Sequence, residues 1–122
     1  MAGNSFQSPV ASEPSFGTPH EMTTSYVPYS GAGLAANANP TITPTGIPAG
    51  TKAVWAIFSC LYTNTGTCRF LSGAAHDFAI VSAATNNYGN GAAMVPLASG
   101  NFAFYNNTAI TGLTIKVVAY WI

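Results

Sequence analysis

The chain has 122 residues, enough for one modest domain with something attached to it. Apolar residues make up 48% of it and charged residues only 5%, against about 25% in ordinary soluble domains. Three cations balance three anions, so there is no basic stripe to neutralise phosphates and no nucleic-acid partner is expected.

The first residues, "MAGNSFQSPVASEPS", lack the basic start and apolar centre of a signal peptide, so export by that route is not expected. Seven of the eight prolines fall at or before Pro48. Ser, Thr, Gly, Ala and Asn fill the gaps between them, and no stretch there holds a helical or strand period for long. Residues 1–46 therefore read as an extended arm. "GLAANANP" allows one helical turn before Pro40 and no more. Phe6, Phe16, Tyr26, Tyr29 and Leu34 are spaced along the arm and are candidate interface residues. Each suits a pocket on a neighbouring subunit, and proline lowers the entropy lost on docking. Removing residues 1–30 is expected to leave the rest of the chain folded and to weaken assembly.

From Ile47 the pattern changes to strands and turns. "TKAVWAIFSC" sets Val54, Ala56 and Phe58 against Ala53, Trp55 and Ile57. "TNTG" reads as a hairpin turn and "CRFLS" as the return strand. "HDFAIVSA" is a third strand, and "TNNYGNG" is a loop whose Asn and Gly suit positive φ. "AAMVPLA" follows, with Pro96 marking an edge or a bulge. "NFAFYN" and a final strand complete six. The expected fold is all-β, an antiparallel β-sandwich or jelly-roll-like domain over residues 47–122. Cys60 and Cys68 flank the proposed hairpin tip. Opposed residues there lie within disulfide reach, but two free thiols are the preferred reading without a signal peptide.

The last strand lies in "GLTIKVVAYWI" and is apolar on both sides. Leu113, Ile115, Val117, Ala119 and Trp121 share one face, and Val118, Tyr120 and Ile122 the other. A surface strand of a monomer has one wet face. Val118, Tyr120 and Ile122 are therefore candidates for contact with another subunit.

A catalytic site is not expected. His20 and His76 are the only imidazoles. His20 sits in the arm, and His76 and Asp77 point to opposite faces if they lie in a strand. A hydrolase needs a nucleophile, a base and an orienting group together, and these are missing. Glu13, Glu21 and Asp77 do not make a carboxylate pair for sugar cleavage. No phosphate loop, metal-ligand set or cofactor motif is present, and no apolar run reaches the length of a membrane span. Sugar binding has candidates in Trp55, Tyr62, Tyr88, Asn86 and Asn87. Of these Trp55 reads as core and Tyr88 as the better platform.

The segments "IPAGTKAVW", "MVPLASGNFAFYNNT" and "LTIKVVAYWI" resemble a β-sandwich module of secreted bacterial and phage-associated proteins. That module opens on a Pro–Gly turn and closes with a last strand ending "V-V-x-Y". The resemblance covers residues 47–122, and the central segment departs from it. In overall organisation, the small size, the Pro/Gly/Ala arm, the low charge and the compact β domain resemble tailed-phage capsid decoration (cement) proteins. That resemblance implies a subunit made in the host cytoplasm and carried on the capsid surface of the virion. Its partners would be the major capsid protein and further copies of itself, trimers before dimers. The alternative is a fibre, tail or spike component that binds host glycans. Against it, residues 1–47 show neither heptads nor repeats.

Overall fold

Val54, Ala56, Phe58, Cys60 and Tyr62 alternate with Trp55, Ile57, Ser59 and Leu61, and the whole first set is buried. That period of two is the signature of a strand with one face in a core. The computed structural model describes residues 17–73 and 76–122. In it the chain runs through β1 (His20–Leu34), β2 (Thr41–Ile42), β3 (Ala53–Tyr62), β4 (Gly66–Ser72), β5 (His76–Ala83), β6 (Tyr88–Pro96), β7 (Phe102–Asn106) and β8 (Ile110–Trp121). No helix occurs among the described residues.

The strands form two four-stranded antiparallel sheets, ordered β1-β8-β3-β6 and β2-β7-β4-β5. First pairs with last, second with seventh, third with sixth and fourth with fifth. This is one long hairpin rolled around a core, the strand order of an eight-stranded jelly roll. Between the sheets Phe70 meets Phe58, Phe102 and Phe104 edge-on, with ring centroids 5.2, 5.5 and 6.0 Å apart. Such geometry suits the ring quadrupoles.

The all-β sandwich is as expected, but its start is not. The arm assigned to residues 1–46 is corrected over its second half, because β1 is an edge strand of the first sheet and β2 an edge strand of the second. β1 escapes a period-two reading for a physical reason. Its register against β8 slips four times, and Gly31 within it has φ 78°. Each slip moves the apolar residues to a new parity. Pro28 is tolerated there because an edge strand has N–H groups that need no ladder partner.

The expected hairpin between Cys60 and Cys68 is also corrected. β3 and β4 lie in different sheets, so residues 63–65 form an arch from one layer to the other. The ladder partner of Cys60 is Gly89, and those of Cys68 are Val81 and Asn106. Finally, "GNG" is strand and not loop. A Cβ on Gly89 would stand 2.5 Å from the Tyr62 ring, and one on Gly91 would run into the Phe58 ring. Two glycines in β6 therefore make room for two core aromatics.

Among the described residues Thr51, Ser72, Asn106 and Thr108 are buried polar residues, and Asn106 is the most deeply enclosed. Asn106 is fully buried, and its Nδ2 donates to the carbonyls of Ala35 at 2.9 Å and Thr108 at 2.8 Å. It ties the loop after β1 to the loop before β8. Buried carbonyls without such a donor would cost about 1–3 kcal/mol each.

Candidate interaction surface

The last strand changes phase part-way along. Trp55 pairs with Ala119 and Ala56 with Val117, so β8 carries one extra residue, Val118, at a bulge. Before the bulge Leu113, Ile115 and Val117 are buried in the core. Beyond it Tyr120 sits opposite Val54, a core residue, and directly opposed residues share a face. Tyr120 therefore turns inward, packs against the core and stacks on His20 with centroids 5.1 Å apart and planes 9° from parallel. The expected grouping of Val118, Tyr120 and Ile122 on one outward face is corrected accordingly.

The outward face of β1-β8-β3-β6 is carried by other residues. Trp55 lies there at 37% exposure, with Met94 and Ala119 as its direct cross-strand neighbours. Trp121 pairs with Ala53, which places it diagonal to Trp55 on the same face. Ile57 and Ala92 extend the apolar area, and Ser59, Asn90 and Thr114 make its polar end. Both tryptophans of the chain thus lie on the outward side of one sheet, Trp55 exposed and Trp121 partly buried. Trp55 was expected in the core, and its outward direction follows from the alternation with Val54 and Ala56. Lys116 and Glu21 are the charges on this face among the described residues.

Two shallow grooves cross the sheet. One, about 510 Å³, is lined by Pro19, Glu21, Met22, Ser25, Val118 and Ala119. It opens where β1 carries three more residues than β8 between the Glu21–Ala119 and Tyr26–Val117 pairs. The other, about 460 Å³, lies over Ile57, Ser59, Asn90, Thr114 and Lys116.

The remaining interface candidates separate into three groups. Tyr26, Tyr29 and Leu34 are partly buried against the subunit's own core, where they cover the flank of β8. Val118 is half-buried in the first groove, and Ile122 is exposed. Phe6 and Phe16 lie outside the described residues.

The sugar-binding candidates do not come together. Tyr62 is fully buried and donates its hydroxyl to the Val81 carbonyl at 2.7 Å. Burial holds its phenol well above the usual range. The backbones of Asn86 and Asn87 are bonded to that of Tyr62. Tyr88 is 74% exposed but opposes Leu61, six residues along β3 from Trp55, roughly 20 Å away at strand spacing.

Polar groups elsewhere are engaged structurally. Arg69 Nε lies 3.1 Å from Asp77 Oδ1, and the Arg69 guanidinium covers the Tyr105 ring at 4.6 Å. Among the described residues no three His, Cys, Asp or Glu side chains gather as metal ligands, and no helix is long and apolar enough to cross a membrane.

The strand order defines a jelly-roll domain whose most distinctive surface is the tryptophan-bearing face. No protein-family model matches the chain, and no curated protein matches it. Among solved structures it is similar to the coat protein of tobacco streak virus, with 12% identity and a TM-score of 0.43 over 78% of this chain and 83% of that one.

Proposed function

We propose that this chain is a viral structural protein, a decoration or cement subunit that binds a capsid surface as an oligomer closed by its tryptophan face. The supporting observation is that both tryptophans occupy the outward side of one sheet, on a chain with six charged residues in all. Isolated exposed apolar side chains are ordinary, but two tryptophans on one outward face of a nearly uncharged sheet favour a standing partner. Jelly rolls occur in capsid, lectin and cupin domains, so the fold permits the role without assigning it. The partners in this reading are the major capsid protein and further copies of the chain, with a trimer favoured over a dimer. In this reading Phe6 and Phe16 are further candidates for contact with neighbours, and Val118 and Ile122 rim the contact. The mechanism is burial, worth about 25 cal/mol per Å² before the costs of association. The role is structural and not enzymatic.

A second reading, glycan recognition by a fibre or spike component, is favoured by the exposure of Tyr88 alone.

The test is the double substitution Trp55→Asp with Trp121→Asp. Both side chains point away from the core, so the melting temperature is expected to change by only a few degrees. Binding to the virus's capsid shells, measured by co-sedimentation, is expected to weaken by roughly 30-fold or more, as for a central hot spot. A doubly substituted chain that binds shells as tightly as the parent overturns the proposal.

A further inference from the structure

We propose that Cys60 and Cys68 are a latent disulfide that links the two sheets of the jelly roll, a modification site built into the native fold. The thiols project into the core from β3 and β4, which belong to opposite layers. Both are free and buried, and their Sγ atoms are 4.0 Å apart. A disulfide requires about 2.05 Å, so each sulfur needs to move by only about 1 Å. Their ladder neighbours are Gly89 for Cys60 and Val81 and Asn106 for Cys68. Here two small sulfurs meet each other.

The pair also differs from two inert fillers in its electrostatics. A hydrogen bond between the thiols, with burial adding to it, holds the Cys60 thiol far above its ordinary range. The same bond lowers that of Cys68 against the opposing effect of burial. In the proposed reaction Cys68 attacks and Cys60 resolves. Both lie close to the arch at residues 63–65, at an end of the sandwich where local opening gives access to solution.

The oxidant is a small-molecule disulfide such as oxidised glutathione. The Cys68 thiolate attacks one of its sulfurs, the reagent's S–S bond breaks and one glutathione thiolate leaves. Cys60 then gives up its proton, and its sulfur attacks Cys68 Sγ. The mixed S–S bond breaks and the second glutathione thiolate leaves. Two protein thiols lose two electrons and two protons, and one glutathione disulfide becomes two thiols.

The full chain is refolded from urea in millimolar oxidised glutathione, so that burial does not limit access. Intact mass and thermal unfolding are then measured with and without dithiothreitol. The expected product has lost two hydrogens, carries no glutathione and melts roughly 10 °C higher than the reduced chain, as the short loop closed by the bond implies. The Cys60→Ser chain is expected to retain one glutathione on Cys68, since no resolving thiol is left. Two free thiols in the refolded wild-type chain, a stable glutathione adduct on it, or a disulfide form that melts below the reduced one overturns the proposal.

Discussion

A chain that lacks residues 1–30 is expected to be unfolded at room temperature. The cut removes His20–Ser30, most of β1, and with it the hydrogen-bonded neighbour of β8. Met22, Tyr26 and Tyr29 go with it, and all three are packed against the core. Full burial of one such side chain is worth about 1.5–3 kcal/mol. Even partial burial of three, with the ladder added, approaches the 5–15 kcal/mol that typically separates folded from unfolded domains. What remains is a sheet whose new edge is β8, a largely apolar strand, and an apolar edge invites aggregation. Circular dichroism and light scattering are expected to show a disordered or aggregated product. A cut before Gly17 removes none of the described strands and serves as the comparison. A soluble, cooperatively melting product of the longer deletion would mean that β1 is an accessory arm after all, as the proline content of the segment first suggests.

Phe70→Ala is expected to cost about 3–5 kcal/mol, the range for removing a buried aromatic ring. Phe70 is fully buried at the centre of the second sheet's inner face and touches rings from both layers. The sheets hold it from two sides, so the space is poorly able to collapse, and the loss should fall at the upper end of that range. Urea unfolding monitored by tryptophan fluorescence measures it. A loss below about 1 kcal/mol would show a core that repacks, contrary to the close-packed layers described above.

The contrast between β1 and β3 explains what the sequence reveals and what it hides. β3 keeps a strict period of two from Val54 to Tyr62, so both its strand character and its buried set are legible. β1 is longer, at 15 residues, yet its four register slips spoil the alternation that sequence reading depends on. Prolines and glycines that normally mark a linker are accommodated there because β1 is an edge. The same cause misplaces the surface. One extra residue at Val118 reverses the parity of Tyr120 and Trp121, so beyond the bulge the outer face of β8 carries Ala119 and Trp121 and not Tyr120. The outward position of Trp55, by contrast, was available from the sequence. Its neighbours Val54 and Ala56 alternate with it, and only its size argued for the core. The glycines of β6 illustrate a further limit. Nothing local distinguishes a turn glycine from one that yields space to Phe58 or Tyr62 across the fold.

The central claim is that the outward face of β1-β8-β3-β6 is covered by other subunits. Its most direct test is the mass of the purified full-length chain in solution, by light scattering at micromolar concentration. The proposed role predicts a discrete closed oligomer, a trimer before a dimer, that Trp55→Asp with Trp121→Asp returns to the single-chain mass. A monodisperse single chain that stays so up to high micromolar concentration would contradict it, leaving both tryptophans in water and the glycan-binding reading the stronger one.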